Sequence, residues 1–143
     1  MRFFDAVIRY ETRLWAFADL ALKSSGSISL ADLEGLRAVV AGGDRCRVHE
    51  VSRGLGITIG ASSKLVDRLE RSGLVVRSPN PDDGRSSYLS LTEEGERRRI
   101  EAEGIVSEAL AAHLAWAGVD VAPLITGLEA LHGSLASHER VGA

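Results

Sequence analysis

The sequence lacks several features that define whole classes of protein. It has a single cysteine, Cys46, which excludes an intramolecular disulfide framework and suits a reducing cytoplasm. No apolar run approaches the ~20 residues needed to span a bilayer, so no membrane association is expected. The first residues carry acids within their apolar stretch, and we therefore expect no signal peptide. Internal repeats and low-complexity tracts are also missing.

The sequence also lacks the patterns of the common enzyme and metal-binding classes. It has no nucleophile elbow and no HExxH motif, and Gly54 and Gly56 lie between two predicted helices rather than after a strand. Cys46, His49 and Glu50 resemble part of a metal site, but the other histidines add no ligand-spaced pair to the roughly four ligands that a closed zinc site needs. We predict no catalysis, no metal and no cofactor. Redox sensing through Cys46 remains an alternative.

Basic residues are not in excess, but they are unevenly distributed. The formal net charge of the 143-residue chain is -3 at pH 7. Residues 45–99 carry 11 Lys and Arg against 8 Asp and Glu, whereas the rest of the chain carries 6 against 12. A basic nucleic-acid-reading unit on an acidic scaffold would have this asymmetry. The length favours one domain or one compact two-lobed unit with a real core.

Helical periodicity dominates the chain outside one segment. Residues 3–23 carry apolar side chains at a three-to-four-residue period over about six turns. These side chains cover so much of the circumference that burial on more than one side is expected, with a second subunit as the second neighbour. The other predicted helices cover residues 30–42, 48–54, 59–72 and 93–116, and a last helix carries Leu124, Leu128, Leu131 and Leu135.

Residues 54–92 contain a turn and a short amphipathic helix before a hairpin. Gly56 supplies the positive φ of a tight connection, and Thr58 is the expected N-cap. The core-facing arc of the helix is predicted to hold Ile59, Ser62, Leu65, Val66 and Leu69. The opposite arc holds Gly60, Ala61, Ser63, Lys64, Asp67, Arg68 and Arg71. Small residues allow close approach to base edges, and Lys and Arg reach phosphates; a merely solvated face is the alternative.

The hairpin is predicted from two short β-prone runs at residues 74–77 and 87–91. The segment between them is dense in turn-forming residues, and Arg85 lies near its tip. Thr92 then caps the next helix. A helix flanked by a small basic hairpin has the shape of a unit that enters the grooves of duplex DNA.

From Leu55 to Gly95 the sequence resembles the MarR-type winged-helix transcriptional regulators. Residues 60–70 are similar to the recognition helix of that family, and residues 72–75 to its exit into the first wing strand. Asp83-x-Arg85, followed after five residues by Leu91-Thr92, is similar to the wing signature. The middle wing position is Gly84, where many members have an arginine.

The resemblance implies a mainly α fold with a small β-hairpin wing. A winged helix-turn-helix over residues 29–95 would be joined to a helical dimerisation lobe formed by residues 1–28 and 96–143. The implied function is that of a sequence-specific, double-stranded-DNA-binding transcriptional regulator, an effector-responsive repressor that acts as a homodimer on a pseudo-palindromic operator. The alternative is a winged-helix protein-interaction module without DNA binding, which the acidic total and Gly84 suggest.

The resemblance also assigns candidate sites. Arg85 would be the wing arginine in the minor groove, and Asp83 the carboxylate that orients it. The predicted DNA-binding residues are Arg47, Thr58, Gly60, Ser63, Lys64, Arg68, Asp83, Arg85 and Ser86. A small aromatic effector is a further candidate partner, and the candidates for its pocket are Tyr10, Trp15, Phe17 and Trp116. A plain core or a dimer interface is the alternative role for these four aromatic residues.

Overall fold

A computed structural model of the chain describes residues 1–81 and 86–141, with side chains described as far as residue 135 of the last helix. The described part is mainly helical with one antiparallel hairpin, which confirms the predicted fold class. Its elements in chain order are α1 (Arg2–Ser24), α2 (Leu30–Gly42), a short 3-10 helix (Gly43–Arg45), α3 (Val48–Leu55), α4 (Ile59–Arg71), β1 (Val75–Pro79), β2 (Ser87–Leu91), α5 (Glu93–Ala117) and α6 (Ala122–Val141).

The chain divides into two compact units, Met1–Ala109 and Leu110–Ala143. The first unit holds α1 to α4, the hairpin and most of α5, and the second holds the end of α5 and α6. The predicted boundaries near residues 28 and 95 stay a prediction. No single described helix is long and apolar enough to cross a membrane. The bent pair Glu93–Ala117 and Ala122–Leu135 would together be long and apolar enough, judged by length and composition only.

Hydroxyl side chains fix the starts of three helices, as the sequence predicts. Each accepts a hydrogen bond from a backbone N–H in the first turn, which would otherwise have no partner. The pairs are Ser29 with Asp32 (3.1 Å), Thr58 with Ala61 (3.2 Å) and Thr92 with Gly95 (2.9 Å). Between α3 and α4, Gly56 has a φ of +64°, in the left-handed region that favours glycine.

The hairpin is a regular antiparallel pair of strands. The start of β1 lies beside α5, and β2 contacts the 3-10 helix. Its register runs from Val75 opposite Leu91 to Pro79 opposite Ser87. The first strand therefore continues to Pro79, two residues beyond its predicted end. On the other side of β2, the Leu89 N–H donates to the Cys46 carbonyl (2.8 Å), which attaches the segment before α3 to the sheet.

Two groups of buried side chains hold the first unit together. One group joins α2, α3, α4 and the hairpin and contains Leu36, Ala38, Val39, Cys46, Val51, Leu65, Val66, Leu69, Leu74, Val75 and Leu89. The other joins α1, α2 and α5 and contains Ala18, Leu22, Leu30, Leu33 and Ala102. Since α4 contributes its residues 65, 66 and 69 to the first group, its opposite side is left facing outwards.

The predicted core-facing arc of α4 is correct for four residues and wrong for one. Ser62, Leu65, Val66 and Leu69 are buried, but Ile59 is 57% exposed. Ile59 is the first residue of α4 and directly follows the capping residue, so it lies at the end of the helix rather than along the packed face. An apolar side chain is therefore exposed at the start of this helix.

Candidate nucleic-acid interface

The outer face of α4 is small at its start and basic along its later turns. A Cβ added at Gly60 would have no atom within 4 Å, so the space in front of this residue is open. Ala61 and Lys64 are exposed and Ser63 is half-buried. Backbone and short side chains at this end can approach base edges, while Lys64 can reach a phosphate or a base. The face predicted from the helical wheel is thus free in the first unit.

Arg68, predicted to bind DNA, is paired within the protein. Its Nε and Nη2 atoms lie 2.8 and 2.7 Å from Asp32 Oδ1 on α2. The other carboxylate oxygen of Asp32 accepts a hydrogen bond from the Ser29 hydroxyl (2.6 Å). The Arg68 guanidinium therefore fastens the second half of α4 to the start of α2. A phosphate contact would have to compete with this pair.

Arg77 connects the first wing strand to α4, a role that the sequence alone did not assign. Its Nη2 atom lies 2.6 Å from Asp67 Oδ1, and its Nε atom lies 2.9 Å from Glu70 Oε2. Two acids three residues apart on a helix lie on one face, so they can hold one guanidinium between them. The sequence signal for this pairing was the three-residue spacing of Asp67 and Glu70, because a helix face that only contacts DNA would not be expected to carry two acids.

The base of the wing is closed by side chains as well as by the strand ladder. Asn80 is only 6% exposed, and its Nδ2 atom donates to the Ser86 hydroxyl (2.8 Å). Ser86, a predicted DNA-binding residue, is therefore part of the hairpin's own closure. Asp83 and Arg85 lie outside the described residues, so the predicted wing arginine and its orienting carboxylate stay predictions.

Arg47 is at the N-cap of α3 and binds the acid in the first turn. Its Nε and Nη2 atoms lie 3.3 and 3.2 Å from the Glu50 carboxylate, which also accepts from the Arg47 N–H (3.1 Å). These hydrogen bonds hold the pKa of Glu50 below its usual range. In the part of residues 29–95 that the structure describes, the cations without an acidic partner are Arg45, Arg53, Lys64 and Arg71.

Cys46 is fully buried against α2. Burial, followed by the charge of Glu50, raises the pKa of its thiol to about 11. Redox-sensing cysteines are accessible and ionise easily, so both properties work against that alternative. Among the described residues no group of three or more His, Cys, Asp or Glu is placed to hold a metal ion.

The four aromatic pocket candidates do not share one described cavity. Trp15 lines an apolar cavity between α1, α2 and the α3–α4 turn, whereas Tyr10 lines a groove along α1 itself. Phe17 lines neither of these. Trp116 belongs to the second unit and is 86% exposed. The proposed aromatic site therefore stays a prediction, with Trp15 as its best-placed member.

Comparison with known proteins identifies this architecture. A family model described as MarR family matches residues 27–86, which run from just before α2 to just before β2. Residues 27–86 thus match the MarR family, and the chain has the fold of MarR-type winged-helix regulators. Such proteins are DNA-binding transcriptional regulators and not enzymes, so the prediction that the chain is not an enzyme is confirmed.

Solved structures, MarR among them, resemble nearly the whole chain. A cysteine-to-serine mutant of MarR from E.coli, crystallised with operator DNA, has a TM-score of 0.79 and 22% identity, covering 94% of each chain. The regulator BldR from Sulfolobus Solfataricus has a TM-score of 0.80 and 20% identity, covering 95% of this chain and 94% of that one. CouR from Rhodococcus jostii RHA1, bound to p-coumaroyl-CoA, has a TM-score of 0.71 and 25% identity, covering 92% and 87%. The search of curated proteins found no match.

Proposed function

We propose that the chain is an effector-responsive repressor that binds a pseudo-palindromic operator as a homodimer. Each protomer would insert α4 into the major groove, and Arg85 on the wing would enter the adjacent minor groove. The two half-sites would then lie about 10 bp apart, one helical turn. The similarity to MarR in a complex with operator DNA supports this mode of binding.

The observation that carries the proposal is the way α4 is held. Its inner side is buried in the core, and its flanks are fastened by Arg68 to α2 and by Arg77 to the wing. A recognition helix needs this rigidity, because base contacts specify sequence only when the helix has a fixed orientation in the groove. The open face at Gly60 and the unpaired Lys64 are available to the DNA.

Exposed apolar side chains support the homodimer. On α1, Phe3, Phe4, Val7, Ile8 and Leu20 are exposed, although they are large and apolar. On α6, the exposed side chains are Leu124, Ile125, Leu128, Leu131 and Leu135. Several large, exposed apolar side chains on one helix are typical of protein interfaces, and these two helices belong to the predicted dimerisation lobe.

Selection of genomic fragments by the purified protein tests the function. The proposal predicts enrichment of a pseudo-palindromic sequence whose binding weakens as salt rises. A winged-helix protein-interaction module would enrich no sequence and show no such dependence. The DNA-facing side of α4 can then be tested with the chain's two lysines, Lys64 and Lys23.

Replacing Lys64 by alanine should weaken binding to the selected fragment and lower the salt slope by about one for each phosphate that the lysine neutralises. Lys23→Ala is the matched control, because Lys23 lies on α1 and pairs with Asp19 (2.6 Å), away from α4. Equal effects of the two substitutions in fluorescence anisotropy titrations would contradict this placement of the DNA.

A further inference from the structure

The first unit contains a cavity with a mixed aromatic and acidic wall. Its volume is about 430 Å³, within the range of small-molecule sites. Trp15 of α1 and Glu34 of α2 form part of the wall. The remainder is mostly apolar and includes Leu55 and Ile57 of the α3–α4 connection and Leu65 of α4. An occupant would therefore touch the element that positions the recognition helix.

Glu34 is the only charged side chain on the described wall of this cavity. It begins a row of alternating acids and bases that runs from α2 to α5. The successive N–O distances are 3.0 Å for Glu34–Arg37, 3.5 Å for Arg37–Glu103, 2.7 Å for Glu103–Arg99 and 2.6 Å for Arg99–Glu96. The row contains three acids and two arginines, so its net charge is -1.

The indole and the carboxylate are complementary to the same kind of group. An ammonium ion is attracted by the face of an indole, and a carboxylate gives it a direct ion pair. An anionic ligand would meet Glu34 with no described Lys or Arg on the wall to offset the repulsion. The charge of the cavity therefore favours a cationic ligand, and the apolar part of its wall favours a ligand with a hydrophobic portion.

We propose that this cavity binds a small hydrophobic amine, with its ammonium group at Glu34 beside Trp15 and its apolar part against Ile57 and Leu65. This inference deepens the proposed function, on which it rests, by naming the chemical class of the effector. Arg37 is shared between Glu34 and Glu103, so an amine at Glu34 would weaken one of the two ion pairs of Arg37. The occupied cavity would thereby alter both the α2–α5 link and the start of α4, and DNA binding would fall.

Three probes that share one phenylbutyl group test the charge selectivity: 4-phenylbutylamine, 4-phenylbutanol and 4-phenylbutanoate. Calorimetry on the full chain should give the amine at least 10-fold tighter binding than the acid, with the alcohol between them. In a Trp116→Phe background, quenching of the remaining indole, Trp15, should follow the same order. Equal affinities for the three probes, or tighter binding of the acid, would overturn the proposal.

Substitution of the carboxylate locates the ammonium site. Glu34→Gln should remove the preference for the amine while leaving the affinity for the alcohol within about 2-fold. Glu94→Gln is the matched control, since Glu94 pairs with Arg97 outside the row and should leave the preference intact. If Glu34→Gln instead changed only the dimer dissociation constant in sedimentation experiments, a second copy of the chain would occupy the cavity and the proposal would be wrong.

An experiment on the release of DNA by the amine distinguishes this inference from the proposed function. The amine should release the selected DNA fragment at concentrations near its own dissociation constant, and Glu34→Gln should abolish that release. If DNA binds but the amine fails to release it, the effector assignment is overturned and the regulator stands. If no DNA is bound at all, the proposed function fails, and calorimetry still decides the chemistry of the cavity.

Discussion

The most demanding prediction concerns Gly95, at the point where α5 crosses the start of the wing. A Cβ added here would lie 2.8 Å from the carbonyl carbon of Leu74 and closer still to its oxygen. Both are backbone atoms at the root of β1, so no flexible side chain can move aside. The Gly95 N–H also donates to Thr92, whose hydroxyl in turn donates to the Gly73 carbonyl (2.6 Å).

The expected cost of Gly95→Ala follows from these contacts. Overpacking typically costs about 1–3 kcal/mol, and loss of an N-cap hydrogen bond costs about 1 kcal/mol. Alanine in place of glycine within a helix would by itself return up to about 1 kcal/mol. We therefore expect the free energy of unfolding to fall by about 1–3 kcal/mol.

Gly104→Ala is the matched control in the same helix. A Cβ at Gly104 would meet no atom within 4 Å, so the helix propensity of alanine should prevail and raise stability by about 0.5–1 kcal/mol. Urea unfolding followed by circular dichroism, at one protein concentration for all variants, measures both values. A Gly95→Ala variant as stable as the parent would refute the close crossing of α5 and the wing root.

Four further predictions concern the interface, the dimer and the buried thiol. Gly60→Ala should raise stability by about 0.5 kcal/mol in urea unfolding while weakening DNA binding in anisotropy titrations, because the added methyl group enters open space that the DNA would otherwise occupy. Arg85→Ala should weaken DNA binding strongly and reduce the salt slope by about 1 for each protomer; unchanged gel-shift titrations would show that the wing assignment is wrong. Leu128→Glu places a charge on an apolar residue that is 53% exposed, so sedimentation velocity should show monomers, and persistent dimers would exclude this face. Cys46 should resist alkylation at pH 8 until the protein is unfolded. Its raised pKa also means that stability is lost as pH rises from the unfolded thiol pKa towards about 11, which urea unfolding at pH 8 and 10 would detect.

The local signals in the sequence were sufficient for the helix starts. Ser29, Thr58 and Thr92 each cap the helix that the sequence assigned to them, because an N-cap needs only its own side chain and the next turn. The end of β1 was misplaced, since strand length depends on the partner strand, and Pro79 pairs with Ser87.

The side chains on the outer face of α4 could not be assigned from periodicity. A helical wheel puts Arg68 on the free face, and it is indeed exposed, but the wheel holds no information about Asp32, which is 36 residues away in sequence. The pairing of Arg77 with Asp67 and Glu70 likewise depends on the turn that brings β1 back along α4. Family resemblance assigns the groove-facing helix, whereas the tertiary fold decides which of its cations are free.

These internal ion pairs explain how an acidic chain can be a DNA-binding protein, and they limit how strongly its affinity depends on salt. Acids on α2 and α4 neutralise Arg68 and Arg77, so these cations orient α4 without requiring counterions from solution. Among the described residues of the winged region, the cations that have no acidic partner are Arg45, Arg53, Lys64 and Arg71. If all of them and Arg85 contacted phosphates in both protomers, the slope of log affinity against log salt would reach about -9. A steeper measured slope would mean that Arg68 or Arg77 leaves its acid to bind the DNA, and the recognition helix would then be reoriented on binding rather than held in place beforehand.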